Sequence, residues 1–181
     1  MKIEVYDDFF DEDVFSKIRD IVESTEFQWS RSSIINRQQY PKNLPMKFLM
    51  EEKYNHQFVH YLYSEWFPTS DYTKSILMPF KEVLENNHPI RAILRAKVNF
   101  NSCTETVIEH ALHHDYDVDE YPDLKTLLFY VNTNDGYTLF EDGDKIPSVA
   151  NRCVLIKGNI LHTGTNCTDD FGRLVIAINY L

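Results

Sequence analysis

Glycine is missing from the first 135 residues of this 181-residue sequence, and all five glycines lie at position 136 or later. Glycine is the residue that most readily forms tight turns with positive φ angles. Its absence argues against a turn-rich N-terminal half, where we expect more helix. Its later occurrence predicts short strands joined by tight turns in the C-terminal quarter.

Cysteine is also scarce, and the three that occur, Cys103, Cys153 and Cys167, are an odd and sparse set that excludes a disulfide framework. No apolar run approaches the roughly 20 residues that cross a bilayer. The N-terminal residues lack the apolar stretch of a signal peptide. We therefore expect a soluble, intracellular, cytoplasmic protein with reduced thiols and no membrane contact.

Basic residues are outnumbered, because 18 Lys and Arg stand against 28 Asp and Glu, a net charge of −10. This charge repels phosphate backbones and disfavours nucleic acid as a partner. The composition is globular, with 43% hydrophobic residues, and no linker or repeat interrupts it. We expect one domain over 1–181, with 1–89 as a mainly helical support and 90–181 as the core. The sequence carries no signal of oligomeric state.

The spacing of apolar residues predicts helices in the N-terminal part. In order, we expect a strand over 2–6 and helices that begin at Asp11, span 51–66 and span 71–86. The helix over 51–66 rests on Phe58, Leu62 and Trp66, which lie four residues apart.

Residues 30–45 are polar and weakly periodic, and they carry Arg31, Arg37 and Lys42 in an otherwise acidic chain. One interpretation is a solvated surface loop, and the other is a mobile lid over a site. With Lys47, these basic residues could contact an anionic ligand locally.

From residue 90 the period of the apolar residues changes to two, which indicates strands. The alternation is clearest from Ile90 to Phe100. Further strands are predicted over 106–115, 124–132, 137–140, 152–157, 160–163 and 172–180. Helices followed by many antiparallel strands predict an α+β fold whose core is a small sandwich or jelly roll.

A candidate metal site lies in the predicted strand that ends at Asp115. If this segment is extended, His113 and Asp115 share one face, while His114 points to the other. His162 is the one histidine that follows Asp115 in the sequence. Two histidines and a carboxylate are the ligand set of non-haem Fe(II) oxygenases, which leaves positions open for oxygen chemistry.

Arg173 follows His162 after ten intervening residues and opens the last predicted strand. Arg173, Val175 and Ala177 share one face of that strand, so the guanidinium projects among small apolar neighbours. A buried lone charge is costly, and a planar guanidinium suits a carboxylate held by two hydrogen bonds. We therefore expect an anionic partner for Arg173.

The order and spacing of His113, Asp115, His162 and Arg173 resemble those of the Fe(II)- and 2-oxoglutarate-dependent dioxygenases. The closer resemblance is to the prolyl-4-hydroxylase-like branch, especially its short phage and bacterial members. It covers about 90–181, whereas the N-terminal part is compatible but not diagnostic.

Two strand motifs add to the resemblance. Residues 127–132, Leu-Leu-Phe-Tyr-Val-Asn, resemble the strand of that branch that ends in Tyr-Leu-Asn. Residues 135–140, Asp-Gly-Tyr-Thr-Leu-Phe, resemble its Gly-Gly-x-Thr-x-Phe strand, with Tyr137 in place of the second glycine. A hydroxyl residue that many relatives carry two positions after the arginine is Val175 in this chain.

The resemblance implies a double-stranded β-helix, which is a jelly roll, with N-terminal helices packed outside. It implies Fe(II) bound by His113, Asp115 and His162 as the catalytic centre. It also implies 2-oxoglutarate and O2 as cosubstrates, with ascorbate as a reductant. Arg173 would bind the far carboxylate of 2-oxoglutarate.

The same resemblance implies that Tyr130 and Thr138 donate hydrogen bonds to the cosubstrate. Some prolyl hydroxylases carry a tyrosine ten positions before the first histidine ligand, where this chain has Cys103. Because the loop is longer, Asn99 is the candidate for that place, with Lys97 beside it on the same strand face.

We therefore expect a hydroxylase that acts on an unactivated carbon of a peptide or small-molecule substrate, with a prolyl residue or free proline as the example. One alternative is a non-catalytic jelly-roll binding module, which would have no use for an inward arginine. Another is a cupin-like metalloenzyme that does not use 2-oxoglutarate, which would share the metal ligands but not Arg173.

Overall fold

The computed structural model describes residues 3–32, 34 and 56–181, and within them two helices accompany eleven strands. The helices are α1 (Glu12–Val22) and α2 (Thr73–Leu84). The strands are β1 (Glu4–Tyr6), β2 (Ser30–Ser32), β3 (Gln57–Ser64), β4 (Phe67–Pro68), β5 (Ile93–Ser102), β6 (Lys125–Tyr130), β7 (Tyr137–Phe140), β8 (Lys145–Pro147), β9 (Arg152–Lys157), β10 (His162–Gly164) and β11 (Gly172–Tyr180).

Antiparallel pairing arranges the strands in two sheets. The large sheet has the order β1-β9-β6-β11-β5-β3-β2, with β4 paired to β3, and the small sheet has the order β10-β7-β8. The two sheets pack on each other, while the helices lie outside on the large sheet. The predicted α+β fold with a jelly-roll core is confirmed.

The large sheet buries both of its faces. On the outer face, Phe15 of α1 and Phe80 of α2 pack on Phe129, with ring centroids 6.1 and 5.2 Å apart. On the inner face, the neighbouring Tyr130 packs with Phe140 of the small sheet. Successive residues of a strand point to opposite faces, so β6 contributes to both cores at once.

Several predicted elements are confirmed. Helix α1 begins directly after Asp11, although the carboxylate of Asp11 makes no capping hydrogen bond. Helix α2 lies within the predicted range 71–86 and contains Pro79. The predicted strands over 137–140, 152–157 and 172–180 have the bounds of β7, β9 and β11.

The helix predicted over 51–66 is wrong. Residues 57–64 form β3, which pairs with β5, and residues 51–55 lie outside the described part of the chain. The spacing of Phe58 and Leu62 fits one helix face, but the aromatic and β-branched composition of β3 suits a strand. A register shift between residues 61 and 63 places Leu62 in the outer core and disguises the period of two.

Two other expectations need correction. The strand predicted over 106–115 is reduced to isolated bridges, which pair Glu109 with Thr165 and His113 with His162. In the described part of 1–89, strands β1 to β4 accompany the helices and join the large sheet, so this region is not mainly helical.

The predicted loop or lid over 30–45 begins with β2, while residues 35–45, with Arg37 and Lys42, lie outside the described part, as does Lys47. No helix in the described ranges combines the length and apolar character needed to cross a bilayer.

Candidate metal centre and cosubstrate pocket

His113 and His162 face each other across an isolated antiparallel bridge. The backbone N–H of His113 donates to the carbonyl of His162 at 3.0 Å, and the N–H of His162 donates to the carbonyl of His113 at 3.2 Å. Residues paired in this way carry neighbouring side chains on one face, and the two imidazole centroids are 5.3 Å apart. The bridge therefore brings together two histidines that are distant in the sequence.

Asp115 lies beside the two histidines and accepts three hydrogen bonds from the large sheet. Arg95 Nη2 donates to Oδ1 at 2.6 Å, while Asn179 Nδ2 and Thr126 Oγ1 donate to Oδ2 at 2.9 and 3.4 Å. His162 Nε2 lies 3.7 Å from Oδ2 of Asp115. One ligand atom from each of the three predicted metal ligands lies within 4.8 Å of the other two.

The orientation of the imidazoles fits a metal ion. Nδ1 of His113 faces the carbonyl of Ala111 at 3.4 Å, and Nδ1 of His162 faces the carbonyl of Ile160 at 3.0 Å. A carbonyl at this position fixes Nδ1–H as the donor and leaves the lone pair on Nε2 for a metal. The set of two imidazoles and a carboxylate suits Fe(II) and also Mn, Co, Ni and Zn.

The charges around the cluster favour the ligand forms at neutral pH. Burial lowers the pKa of His113 to about 4, so this imidazole is neutral at pH 7. Burial opposes ionisation of Asp115, but the positive charge of Arg95, followed by the two histidines, outweighs it and holds the pKa of Asp115 below its ordinary value. A neutral imidazole and an ionised carboxylate are the forms that bind metals.

Arg173 lies on β11 with its side chain buried. Nε donates to Ser148 Oγ at 2.6 Å, Nη2 donates to Thr138 Oγ1 at 3.0 Å, and the guanidinium carbon is 5.1 Å from the ring centroid of Tyr130. Among the described residues, no carboxylate pairs with this guanidinium. A buried cation without an anion is costly, so the position fits an anionic ligand.

The remaining predicted cosubstrate residues lie around Arg173. The hydroxyl of Tyr130 donates to Thr138 Oγ1 at 2.8 Å. Asn99 lies directly opposite Val175 in the pairing of β5 with β11, and its buried Oδ1 has no hydrogen-bond partner among the described residues. An unpaired buried polar atom at a pocket wall is a common mark of a ligand site.

One cavity connects the metal cluster and the arginine. Its lining includes the three candidate metal ligands, Arg173, Thr138 and Asn99, whereas Tyr130 lies behind Thr138 and Arg173. The empty space among these residues is about 570 Å³ when the open solvent at the mouth is included.

Four polar residues around the site were not predicted as site residues: Arg95, Thr126, Ser148 and Asn179. Arg95 and Asn179 fall at inward positions of predicted strands. The alternation of polar and apolar residues along each strand does not indicate that both side chains reach Asp115. The Ser148 hydroxyl accepts from Arg173 Nε, whereas the position two residues after the arginine, where many relatives carry a hydroxyl, is Val175. Cys103 is exposed and does not line the cavity.

Asn179 is expected to support metal binding by positioning Asp115. It is fully buried, donates to Asp115 and accepts from Arg95 Nε at 3.1 Å. An Asn179→Leu variant should bind Mn(II) about 10- to 100-fold more weakly, the range found for residues that orient ligands. Competition titration with a chelator measures this affinity. Asn87→Leu, at an exposed site, should have no effect, and equal affinities in both variants would contradict the role.

Gly136 is expected to be essential for the position of Arg173. A Cβ at this residue would lie 2.5 Å from the carbonyl oxygen of Asn166 and 2.8 Å from Cδ of Arg173. Gly136→Ala should lower the free energy of unfolding by about 1–3 kcal/mol and weaken 2-oxoglutarate binding, as measured by urea unfolding and calorimetry. Gly143→Ala, which meets no atom within 4 Å but has a positive φ, should affect stability alone.

Neither a protein-family profile nor a curated protein matches this sequence. Solved structures do match over nearly the whole chain. A prolyl hydroxylase from Trichoplax adhaerens, in complex with a hypoxia inducible factor oxygen degradation domain peptide fragment, has a TM-score of 0.62 at 11% identity, with 99% of this chain and 83% of that chain covered.

Two further structures agree with this match. An oxidoreductase of the 2OG-Fe(II) oxygenase family from Burkholderia pseudomallei has a TM-score of 0.64 at 10% identity, with 98% and 84% of the two chains covered. A viral collagen prolyl hydroxylase from Paramecium Bursaria Chlorella virus-1 has a TM-score of 0.51 at 15% identity, with 99% and 89% covered. This chain therefore has the fold of the 2OG-Fe(II) oxygenases.

Proposed function

We propose that this protein is an Fe(II)- and 2-oxoglutarate-dependent oxygenase that hydroxylates an unactivated carbon. The observation that carries the proposal is the meeting, in one cavity, of a two-histidine, one-carboxylate cluster and a buried arginine that lacks a carboxylate partner among the described residues. The fold shared with solved oxygenases supports it.

His113, Asp115 and His162 would hold the iron, with Arg95 and Asn179 fixing the carboxylate. Iron and 2-oxoglutarate together supply the oxidising chemistry with O2, while the protein orients the reactants. The two carbonyls behind the imidazoles accept from Nδ1–H, so in the neutral imidazoles the lone pair is on Nε2. This arrangement is set by the backbone before any ligand arrives, so little reorganisation is needed on binding.

Arg173 would bind the far carboxylate of 2-oxoglutarate through two hydrogen bonds. Thr138 would add a hydroxyl contact, with Tyr130 donating to its oxygen from behind, and Asn99 would contact the cosubstrate from the neighbouring strand β5. Ser148 holds Nε of Arg173, which turns the outer nitrogens toward Thr138 and the cavity. Apolar Val175, Leu128 and Ala177 line the space between and limit access of water.

We further propose a prolyl residue or free proline as the substrate, with ascorbate as a reductant that sustains turnover. Two of the matching structures are named as prolyl hydroxylases, and one of these holds a peptide fragment. These neighbours therefore support a peptide substrate, and free proline is the small-molecule alternative.

The test is an anaerobic titration with Fe(II), followed by visible spectra with and without 2-oxoglutarate. We expect a weak metal-to-ligand charge-transfer band that requires both, and its loss in His162→Ala. His114→Ala is the matched control, because His114 faces the carbonyl of Asn159 and lies outside the metal cluster. Tight metal binding without the band would favour a cupin-like metalloenzyme, and no metal binding would favour a binding module.

A further inference from the structure

Lys97 is a second cation in the cavity, apart from Arg173. It lies on β5, directly opposite Ala177 of β11 and Tyr61 of β3, so its side chain shares the inner face of the large sheet. The residue is partly buried. It forms neither a hydrogen bond nor an ion pair with any residue in the described ranges.

Asp115 is close enough to attract Lys97 but is engaged elsewhere. Its Oδ1 accepts from Arg95, and its Oδ2 accepts from Asn179. The same carboxylate is the proposed anionic metal ligand. Among the described residues, Lys97 is therefore left without a carboxylate of its own.

The bound metal and cosubstrate would not supply the missing anion. Fe(II), Arg173 and Arg95 would together carry four positive charges, against three negative charges on the dianionic 2-oxoglutarate and Asp115. Arg95 uses its donors on Asp115 and Asn179. With respect to the described part of the chain, Lys97 thus remains a cation with unused donors, which is costly in a partly buried place unless a ligand brings an anion.

The position of Lys97 points to the substrate side of the cavity. Tyr130 and Thr138 flank Arg173 from β6 and β7. Lys97 projects instead from β5, next to β3, whose Gln57 also lines the cavity. On β5, Asn99 lies between Lys97 and the residue opposite Arg173, so Lys97 is the farther of the two from the guanidinium.

We propose that Lys97 binds a carboxylate of the substrate, and that the substrate is a free carboxylic acid, such as a free amino acid, rather than an internal residue of a peptide. This inference rests on the proposed function. An internal peptide residue carries no carboxylate on its main chain, so it would leave the Lys97 ammonium unpaired. The free acid supplies a charge-assisted hydrogen bond at the same place.

The experiment measures binding, not turnover. Protein loaded with Mn(II) and saturated with 2-oxoglutarate is titrated in a calorimeter with the free standard amino acids, proline included, and with their C-terminal amides. We expect at least one free acid to bind about 10- to 100-fold more tightly than its amide. Lys97→Met should remove this difference, whereas Lys74→Met, at an exposed site on α2, should keep it.

A separate titration with 2-oxoglutarate distinguishes the source of the carboxylate. Lys97→Met should leave the affinity for 2-oxoglutarate unchanged. An equal loss for 2-oxoglutarate would assign Lys97 to the cosubstrate and overturn the proposal, as would free acids that bind no better than their amides. If the metal-loaded wild type does not bind 2-oxoglutarate at all, the proposed function fails, and this inference falls with it.

Discussion

Asp115→Ala is expected to bind Fe(II) more than about 100-fold more weakly than the wild type and to show no turnover of 2-oxoglutarate. This loss exceeds what is usual for a residue that only supports a ligand. Asp115 is the one carboxylate in the cluster with His113 and His162, so its removal takes away both a ligand and the negative charge that offsets the metal. Metal titration and succinate formation measure the two effects.

The variant also leaves Arg95 without its acceptor at 2.6 Å, which is expected to destabilise the fold. Asp115→Asn separates the two consequences, because an amide oxygen can still accept from Arg95 while the charge is gone. Asp117→Ala is the control, since Asp117 is exposed and its carboxylate accepts from the backbone N–H groups of Asp119 and Glu120 in its own turn. Metal affinity that survives in a folded Asp115→Asn protein would mean that the cluster is not the metal site.

Arg173→Met is expected to weaken 2-oxoglutarate binding by about 30- to 5,000-fold, which corresponds to about 2–5 kcal/mol for truncation of one partner in a buried charge pair. The methionine fills similar volume but offers no donor to a carboxylate. Metal affinity should change little, because Arg173 bonds to Ser148 and Thr138 and not to the metal cluster. Calorimetry on the Mn(II)-loaded protein measures both constants.

Thermal unfolding provides a second measure for Arg173. A ligand that binds only the folded state stabilises the protein and raises the melting temperature of the protein. The stabilisation grows with the logarithm of the ratio of ligand concentration to Kd. Saturating 2-oxoglutarate should therefore stabilise the wild type and the control Arg91→Met, an exposed site, but not Arg173→Met. Equal stabilisation of all three proteins would show that the cosubstrate carboxylate binds elsewhere.

The candidate site was predicted from the order and spacing of its residues and from their resemblance to a known oxygenase family, because no single motif is specific enough. His113 and Asp115 alternate in an extended segment, and Arg173 opens a strand whose face also holds Val175 and Ala177. The structure places all of them on the cavity with His162. The partners Arg95 and Asn179 were missed, because an arginine and an asparagine on separate strands give no local sign that they meet.

The fold also divides into elements that the sequence predicted and elements that it did not. The alternation of apolar residues located β7, β9 and β11 by local pattern alone. The helix over 51–66 failed because β3 takes its conformation from pairing with β5, far along the chain. A helix makes its backbone hydrogen bonds within itself, whereas a strand makes them with a partner strand. An aromatic segment with helical spacing can therefore form a strand when a partner strand from a distant part of the sequence lies beside it.

By itself, the sequence determined which side chains bring charge, imidazole or hydroxyl groups, and which face of each strand they occupy, because these follow from residue type and the two-residue period of a strand. Only the tertiary structure decided which groups meet. The bridge between His113 and His162, the hydrogen bond from Asn179 to Asp115 and the place of Lys97 on the cavity wall depend on the register between strands. Register is set by long-range pairing and packing, which no local window of residues contains.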